Sequence, residues 1–281
     1  GSAVYQRLTG PTHPLRVASA FGVARLVRSA DTTAPARVVV PAGADTEGVV
    51  HARRYPTEDA FDPVPMVRGD DTLEAELPLQ PAAGKVEYRV ELQAGDDPIR
   101  LPGPGDETVV LRYKDPVPGG FLWPHVAFMF FAVLFGIRTA LAALFGHAGV
   151  RRLAFQTLGL MTVGGIVLGP IVQKYAFGAF WTGWPFGHDL TDNKVLIMWL
   201  AWGLACLGLA LHRPRSEKGR RGLVIAAALV MLVVYLIPHS LRGSELDYDK
   251  LREGVAPEDA IRTGRLGPVF RAVDEDPRPR A

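Results

Sequence analysis

The stretch KYAFGAFWTGWPFGHDLTDNK, residues 174–194, decides the fold because it lies between two long apolar segments. It holds six aromatic side chains and two lysines, together with His188, Asp189 and Asp192. Apolar segments of about 20 residues cross a bilayer as helices, so the stretch is predicted to connect two spans. Its density of polar and aromatic groups makes it the first candidate for a functional site.

On either side of this stretch, the apolar segments predict four transmembrane helices at residues 121–145, 153–172, 195–211 and 223–238. The first two have the length that a hydrocarbon core of about 30 Å requires. The last two are shorter and need flanking residues or a small tilt. In the second segment, the GxxxG match GIVLG favours close helix packing inside the bundle, and Gly169-Pro170 predicts a local opening of the helix.

The charges of the short connections predict the orientation. Arg151 and Arg152 lie in the first connection, and the third, HRPRSEKGRR, carries five basic residues against one glutamate. The two lysines of the middle connection are balanced by two aspartates. Since positively charged connections stay in the cytoplasm, the N-terminal residues, the middle connection and the tail are predicted on the periplasmic side of a bacterial inner membrane.

The N-terminal part is polar and rich in proline, and it contains short β-branched and aromatic runs bounded by Gly, Pro or Asp. This pattern predicts an antiparallel β-sandwich of the immunoglobulin or fibronectin type III kind. In KVEYRVEL, residues 85–92, apolar and charged residues alternate, which predicts one face in the core and one in water. The seven predicted strands are 15–20, 23–28, 36–40, 48–55, 72–77, 85–92 and 107–113.

The predicted fold is therefore an α+β multidomain membrane protein. Its domains are an extracytoplasmic β-sandwich at 1–117, a four-helix transmembrane domain at 118–240 and an extracytoplasmic tail at 241–281. The tail is expected to pack on the β-domain or on a partner, with a short helix at 257–263 and Val269 and Phe270 as docking residues. Export of the β-domain would require a cleaved signal or an anchor helix before Gly1.

Composition excludes several classes of function. The formal charge of +2 is spread over both ends of the chain, so no basic face exists of the kind that binds nucleic acid. Cys206 is the one cysteine and lies in an apolar segment. A disulfide framework or a thiolate metal site therefore cannot be built.

The predicted topology brings nine candidate residues to the outer interface: His125, Lys174, Tyr175, Trp181, Trp184, His188, Asp189, Asp192 and His239. In a structural interpretation, the two aspartates cap the third helix and the tryptophans anchor the connection among the headgroups. In a second interpretation, the three histidines bind a haem or a transition metal. In a third, the aromatic pocket with Lys174 and the aspartates binds a quinone or a lipid headgroup.

The chain also resembles a family of bacterial integral membrane proteins that have an extracytoplasmic β-domain and a four-helix membrane module. The resemblance covers most of the chain and implies this architecture but no catalytic residue. The stretches that carry it are YQRLTGPTHP (5–14), YRVEL (88–92) with VVLRYKDPVP (109–118), PHVAFMF (124–130), GPIVQKYAFGAFWTGWPFGHDLTDNK (169–194) and YLIPHSLRGSELDY (235–248).

The sequence favours a non-catalytic membrane subunit or accessory factor. Its β-domain, its 174–194 connection and its tail are expected to dock a partner membrane complex, and lipid and another membrane or periplasmic protein are its expected partners. The alternative is a redox, metal-binding or haem-binding protein, or a quinone-binding or lipid-binding one, that uses the outer cluster. An enzyme with a soluble substrate ranks third, because no nucleophile and base pair is recognisable.

Overall fold

A β-sandwich, four long helices and a tail that returns to the sandwich make up the protein. The computed structural model describes residues 13–95, 97–103, 107–211, 217–237 and 244–263. The strands of the sandwich are β1 Leu15–Ser19, β2 Gly22–Leu26, β3 Ser29–Asp31, β4 Ala36–Pro41, β5 Glu47–Arg54, β6 Asp62–Pro65, β7 Val67–Arg68, β8 Thr72–Leu77, β9 Lys85–Gln93, β10 Pro98–Leu101 and β11 Val109–Lys114.

The strands form two sheets with the core between them. Sheet I has the order β1-β2-β4-β8-β7, and sheet II has the order β3-β11-β9-β5-β6, with β10 also paired to β9. All pairs are antiparallel except β3 with β11. The inner faces bury Val38, Tyr88 and Leu111 completely. The sandwich and its seven predicted strands are confirmed, whereas β3, β6, β7 and β10 were missed because they are two to four residues long or contain proline.

The prediction that the charged face of β9 lies in water is wrong for Lys85 and Glu87, whereas Arg89 and Glu91 are half-buried. Lys85 is 2% exposed and Glu87 is 6% exposed. Glu87 binds Arg53 on the neighbouring strand, with 2.6 Å between Arg53 Nε and Glu87 Oε1. The tail covers Lys85, since the Tyr248 hydroxyl donates to the Lys85 carbonyl oxygen at 2.9 Å. Alternation thus identified the core face correctly but not what covers the other face.

Among the described residues, four helices are long and apolar enough to cross a membrane: α1 Gly119–Leu144, α2 Val150–Phe177, α3 Leu190–Ala210 and α4 Glu217–Leu236. The chain is a multi-pass membrane protein with the four spans that its hydropathy predicted. The third and fourth helices begin five and six residues before their apolar segments. Polar residues therefore supply the length that these segments lacked.

The second helix opens where Gly169-Pro170 predicted. Residues Thr162–Leu168 form a π-helical segment within α2. Pro170 has no N–H for the carbonyl four residues earlier, so the regular ladder cannot continue through this turn. The Gly164 carbonyl instead accepts from the Gly169 N–H five residues on, and its oxygen lies 2.8 Å from His125 Nδ1. His125 is thus placed by a main-chain contact with the opened turn.

Two glycines of α2, Gly164 and Gly165, pack inside the bundle, as the GIVLG match predicted for Gly165. A Cβ at Gly164 would lie 2.8 Å from Phe128 Cβ on α1, and one at Gly165 would lie 2.7 Å from Val195 Cγ1 on α3. A Cβ at Gly159 would meet no atom within 4 Å. Close approach of three helices therefore depends on Gly164 and Gly165.

The tail returns to the sandwich after the fourth span. It contains β12 Ser244–Leu246, the short helix α5 Tyr248–Arg252 and β13 Ile261–Thr263, which pairs antiparallel with β12. The Leu246 N–H donates to the Ala83 carbonyl of the sandwich at 3.2 Å. The helix predicted at 257–263 is wrong, because a turn and β13 occupy that range, and Val269 and Phe270 lie outside the described residues.

Candidate functional site

The predicted 174–194 connection divides into a buried part and an exposed part. Its ends are helical, because Lys174 and Tyr175 belong to α2 and Asp192 belongs to α3. The connection itself is therefore residues 178–189. Asp189 and Asp192 are 4% and 6% exposed, while Trp184 is 66% exposed.

Asp189 caps the third helix and also binds the tail. Its Oδ1 accepts from the Thr191 N–H at 2.7 Å, which confirms the predicted cap. Its Oδ2 accepts from the Thr182 hydroxyl at 3.0 Å and from the Ser244 N–H at 3.1 Å. One carboxylate therefore joins α3, the connection and β12.

Asp192 was predicted as a second cap, but it holds the connection instead. Its Oδ2 accepts from the Thr182 N–H at 2.7 Å and from the Gly183 N–H at 3.0 Å. A Cβ at Gly183 would lie 2.6 Å from Asp192 Cβ, so only glycine allows this approach. Both aspartates bind Thr182 and so fix this turn on the first turn of α3.

The sandwich and the tail complete this buried polar cluster. Lys85 Nζ lies 2.9 Å from Glu245 Oε2, and both side chains are at most 5% exposed. Arg112 of β11 donates from Nη2 to the Ser244 carbonyl at 2.6 Å. We call the cluster the polar junction, defined by the side chains of Lys85, Arg112, Thr182, Asp189, Asp192, Ser244 and Glu245, together with Tyr248.

Burial and charge shape the electrostatics of the polar junction. Burial lowers the pKa of Arg112 to about 10, although the nearby carboxylates of Asp189 and Glu245 favour its charged form. Its guanidinium carbon lies 3.8 Å from the centre of the Phe177 ring at the end of α2. Lys85 and Arg112 thus supply positive charge among three carboxylates, and these opposite charges offset part of the cost of burial.

Tyr248 closes the polar junction on the sandwich side. Its hydroxyl accepts from the Lys85 backbone N–H at 3.0 Å and donates to the Lys85 carbonyl. Burial raises its pKa to about 12, and the hydrogen bond from the Lys85 backbone N–H opposes that rise. The Arg54 guanidinium lies 5.4 Å above the Tyr248 ring and binds Asp59.

The exposed part of the connection is an aromatic tip defined by the side chains of Phe180, Trp184 and Phe186, whereas Thr182 and Gly183 between them are buried. Phe180, Trp184 and Phe186 are 57%, 66% and 83% exposed. The Trp181 indole N–H donates to the Trp184 carbonyl at 3.0 Å, and the Trp184 N–H donates to Asn193 Oδ1 at 2.7 Å. The tip is therefore held in one shape although its side chains are open.

The remaining predicted residues lie around this tip. Lys174 Nζ is 5.7 Å from the centre of the Phe180 ring, and Tyr175 stacks on Phe121 of α1 with 5.4 Å between ring centres. His188 is exposed. The structure thus spreads Lys174, Tyr175 and the tryptophans over the surface and does not gather them into one enclosed pocket.

The histidines do not form a metal centre within the described part of the chain. In residues 13–95, 97–103, 107–211, 217–237 and 244–263, no group of three or more His, Cys, Asp or Glu side chains is placed to hold a metal ion. His125 contacts Gly164 and His188 is exposed. His239 lies outside the described residues.

An open cleft of about 450 Å³ lies where the sandwich, the connection and the tail meet. Thr32, Asp115, Gly178 and Glu258 are among the residues that line it. None of the eight predicted site residues that the structure describes borders this cleft.

Sequence reasoning missed Lys85, Arg112, Ser244, Glu245 and Tyr248. The charged face of β9 was a signal that something polar covers it, but the covering segment lies about 160 residues further along. No periodicity links residues so far apart. No protein-family model matches the chain, and no curated protein matches its sequence.

Proposed function

We propose that the protein is a non-catalytic subunit or accessory factor of a bacterial inner-membrane complex, and that it docks a partner protein on the periplasmic side. The sandwich, the aromatic tip and the tail would act together as one docking platform. The family that the sequence resembles has the same architecture. The basic residues in the first and third connections support this orientation.

The observation that carries this proposal is the polar junction. Both Asp189 oxygens accept hydrogen bonds, and one Asp192 oxygen accepts two from the main chain. Their contacts join segments of the molecule and leave the exposed surface to the aromatic tip. A general acid or nucleophile must instead reach a substrate. The buried aspartates therefore serve structure in this proposal.

The aromatic tip has the properties of a docking surface. Trp and Phe side chains supply large contact area, and aromatic residues dominate the energy of many protein interfaces. Two hydrogen bonds fix the tip before any partner arrives: Gly183 N–H to Asp192 and Trp184 N–H to Asn193. Because a fixed surface loses little conformational entropy on binding, this tip suits a stable complex.

The first experiment tests docking by photo-crosslinking in native membranes. A photoreactive amino acid replaces Phe186 at the tip or, as a matched control, Phe145, which is 69% exposed at the opposite end of α1. We expect a discrete protein adduct at position 186 and none of that size at position 145. Lipid adducts alone at position 186 would contradict a protein partner.

A second experiment tests the orientation and the absence of a cofactor role. In a Cys206→Ala background, His188→Cys and His147→Cys place single thiols at exposed sites in connections at opposite ends of the helices. An impermeant maleimide applied to spheroplasts is expected to label only position 188.

A Soret band or stoichiometric metal in the purified protein, lost in His125→Ala, would replace the docking proposal by the redox or metal alternative.

A further inference from the structure

The outer face of sheet I carries two adjacent arginines, Arg16 and Arg25, that make no ion pair with any of the described residues. Arg16 on β1 lies directly opposite Arg25 on β2 in the antiparallel register. Both side chains are exposed. Within the part of the chain that the structure describes, neither forms an ion pair, whereas the neighbouring Arg37 lies 3.3 Å from Glu74.

The positive charge is confined to the β1–β2 end of this face. Arg37 on β4 also lies 3.8 Å from Glu76 on β8, so the acidic residues of the face accompany Arg37. Val23 is 55% exposed beside Arg25 on β2. The β1–β2 end therefore combines two guanidinium groups with an exposed apolar side chain.

The arrangement does not serve the stability of the sandwich. Like charges directly opposite each other on neighbouring strands are destabilising. Each guanidinium can bind a carboxylate through two parallel hydrogen bonds. An acidic ligand at Arg16 and Arg25 would remove the repulsion and satisfy donors that point to solvent.

The position of this face favours a protein ligand over a lipid one. Lys85 and Arg112 project from the outer face of sheet II, where the tail and the end of α2 contact them. The outer face of sheet I is on the opposite side of the sandwich and is directed away from those contacts. In addition, β1 is the edge strand of its sheet, and edge strands can pair with an extended peptide.

We infer that the β1–β2 face binds an extended acidic segment of a partner protein through Arg16 and Arg25. The inference rests on the proposed docking function and names a second contact with the partner, remote from the aromatic tip. The carboxylates of the segment neutralise both arginines, and an apolar side chain of the segment covers Val23.

The test measures binding of a fluorescent octaglutamate peptide to the full-length protein in detergent by anisotropy. We expect saturable binding that weakens at higher salt, because the contacts are exposed charges, and that falls about tenfold or more in the Arg16→Glu/Arg25→Glu variant. Arg100→Glu is the matched control, since Arg100 is exposed on β10 of sheet II, and it should bind as the wild type does. Octaglutamine should not bind.

Three results would overturn the inference. The first is no binding of octaglutamate, and the second is equal binding by the double variant. The third is binding of the full-length protein through Arg16 and Arg25 to anionic phosphatidylglycerol vesicles in place of octaglutamate. The last would assign the arginines to a lipid surface. The crosslink at Phe186 reports separately on the docking proposal. A protein adduct at position 186 without octaglutamate binding would remove only this inference. Octaglutamate binding without a protein adduct at position 186 would remove docking at the aromatic tip.

Discussion

The two outer faces of the β-sandwich carry similar alternating charged residues but differ in how exposed these residues are. On sheet II, Lys85 and Glu87 alternate with core residues and are buried. On sheet I, Arg25 and Arg37 also alternate with core residues and are exposed. The tail covers Lys85, and Arg53 and Thr108 bind Glu87, whereas Arg25 and Arg37 remain exposed. Alternation therefore identifies the inner face of a strand, whereas segments remote in sequence decide whether its outer face is exposed to water.

The largest expected effect comes from breaking the buried pair on the covered face. Glu245→Ala leaves the Lys85 ammonium buried without its carboxylate and should cost about 3–5 kcal/mol of tail docking. Hydrogen exchange at the Ser244–Leu246 amides measures this cost. Glu253→Ala, an exposed carboxylate of the same tail, should leave exchange unchanged. Comparable exchange in both variants would show that the pair does not hold the tail.

A double variant sharpens the same comparison. Lys85→Met/Glu245→Leu replaces the pair by apolar side chains of similar size, which is often neutral or stabilising at buried sites. We expect most of the docking lost in Glu245→Ala to return. If the double variant is no better than the single one, the loss came from packing and not from an unpaired charge.

The next largest effect is expected from removing the Asp189 carboxylate, which joins three segments. Asp189→Ala removes the helix cap and leaves the Ser244 N–H and the Thr182 hydroxyl without this acceptor. A cost of about 2–4 kcal/mol follows from a lost cap and buried unsatisfied donors. Thermal unfolding in detergent measures it, with His188→Ala as the neighbouring exposed control. An unfolding temperature equal to that of the control would remove Asp189 from the junction.

A smaller effect and a pH dependence are expected from Tyr248. Tyr248→Phe removes two hydrogen bonds to the Lys85 main chain, at a cost of about 1–2 kcal/mol. Because the folded pKa of Tyr248 is raised from 10.0 to about 12, its contribution is complete below pH 10 and is lost as the pH rises towards 12. The difference in stability between wild type and variant should therefore shrink over this range. A constant difference would contradict the raised pKa.

The smallest effect is expected on the open face. Arg37→Ala removes ion pairs with Glu74 and Glu76, but the Arg37 side chain is 61% exposed. Exposed pairs contribute little, so the cost should stay below about 0.5 kcal/mol. Thermal unfolding of the same protein preparation checks this value. A loss as large as that of Glu245→Ala would mean that the two faces do not differ as described.

Sequence alone predicted those parts of the molecule that local periodicity determines. The four spans and the seven longer strands follow from hydropathy and alternation, and Asp189 was predicted as a cap from its place before an apolar segment. The pairing of Lys85 with Glu245 could not be predicted, because the fold alone brings β9 and β12 together. The residues predicted as one outer cluster do not share one environment, because Asp189 and Asp192 are buried in the polar junction while His188 is exposed.

The return of the tail also imposes an order on synthesis. The charged face of β9 is complete once β11 has emerged, but β12 and β13 emerge only about 150 residues later, after all four spans. At typical rates of synthesis this interval is roughly 8–30 s. Throughout that time Lys85 and Arg112 must remain hydrated. The sandwich therefore reaches its final form only after all four helices have been synthesised, so docking of the tail is the last step in the assembly of the sandwich.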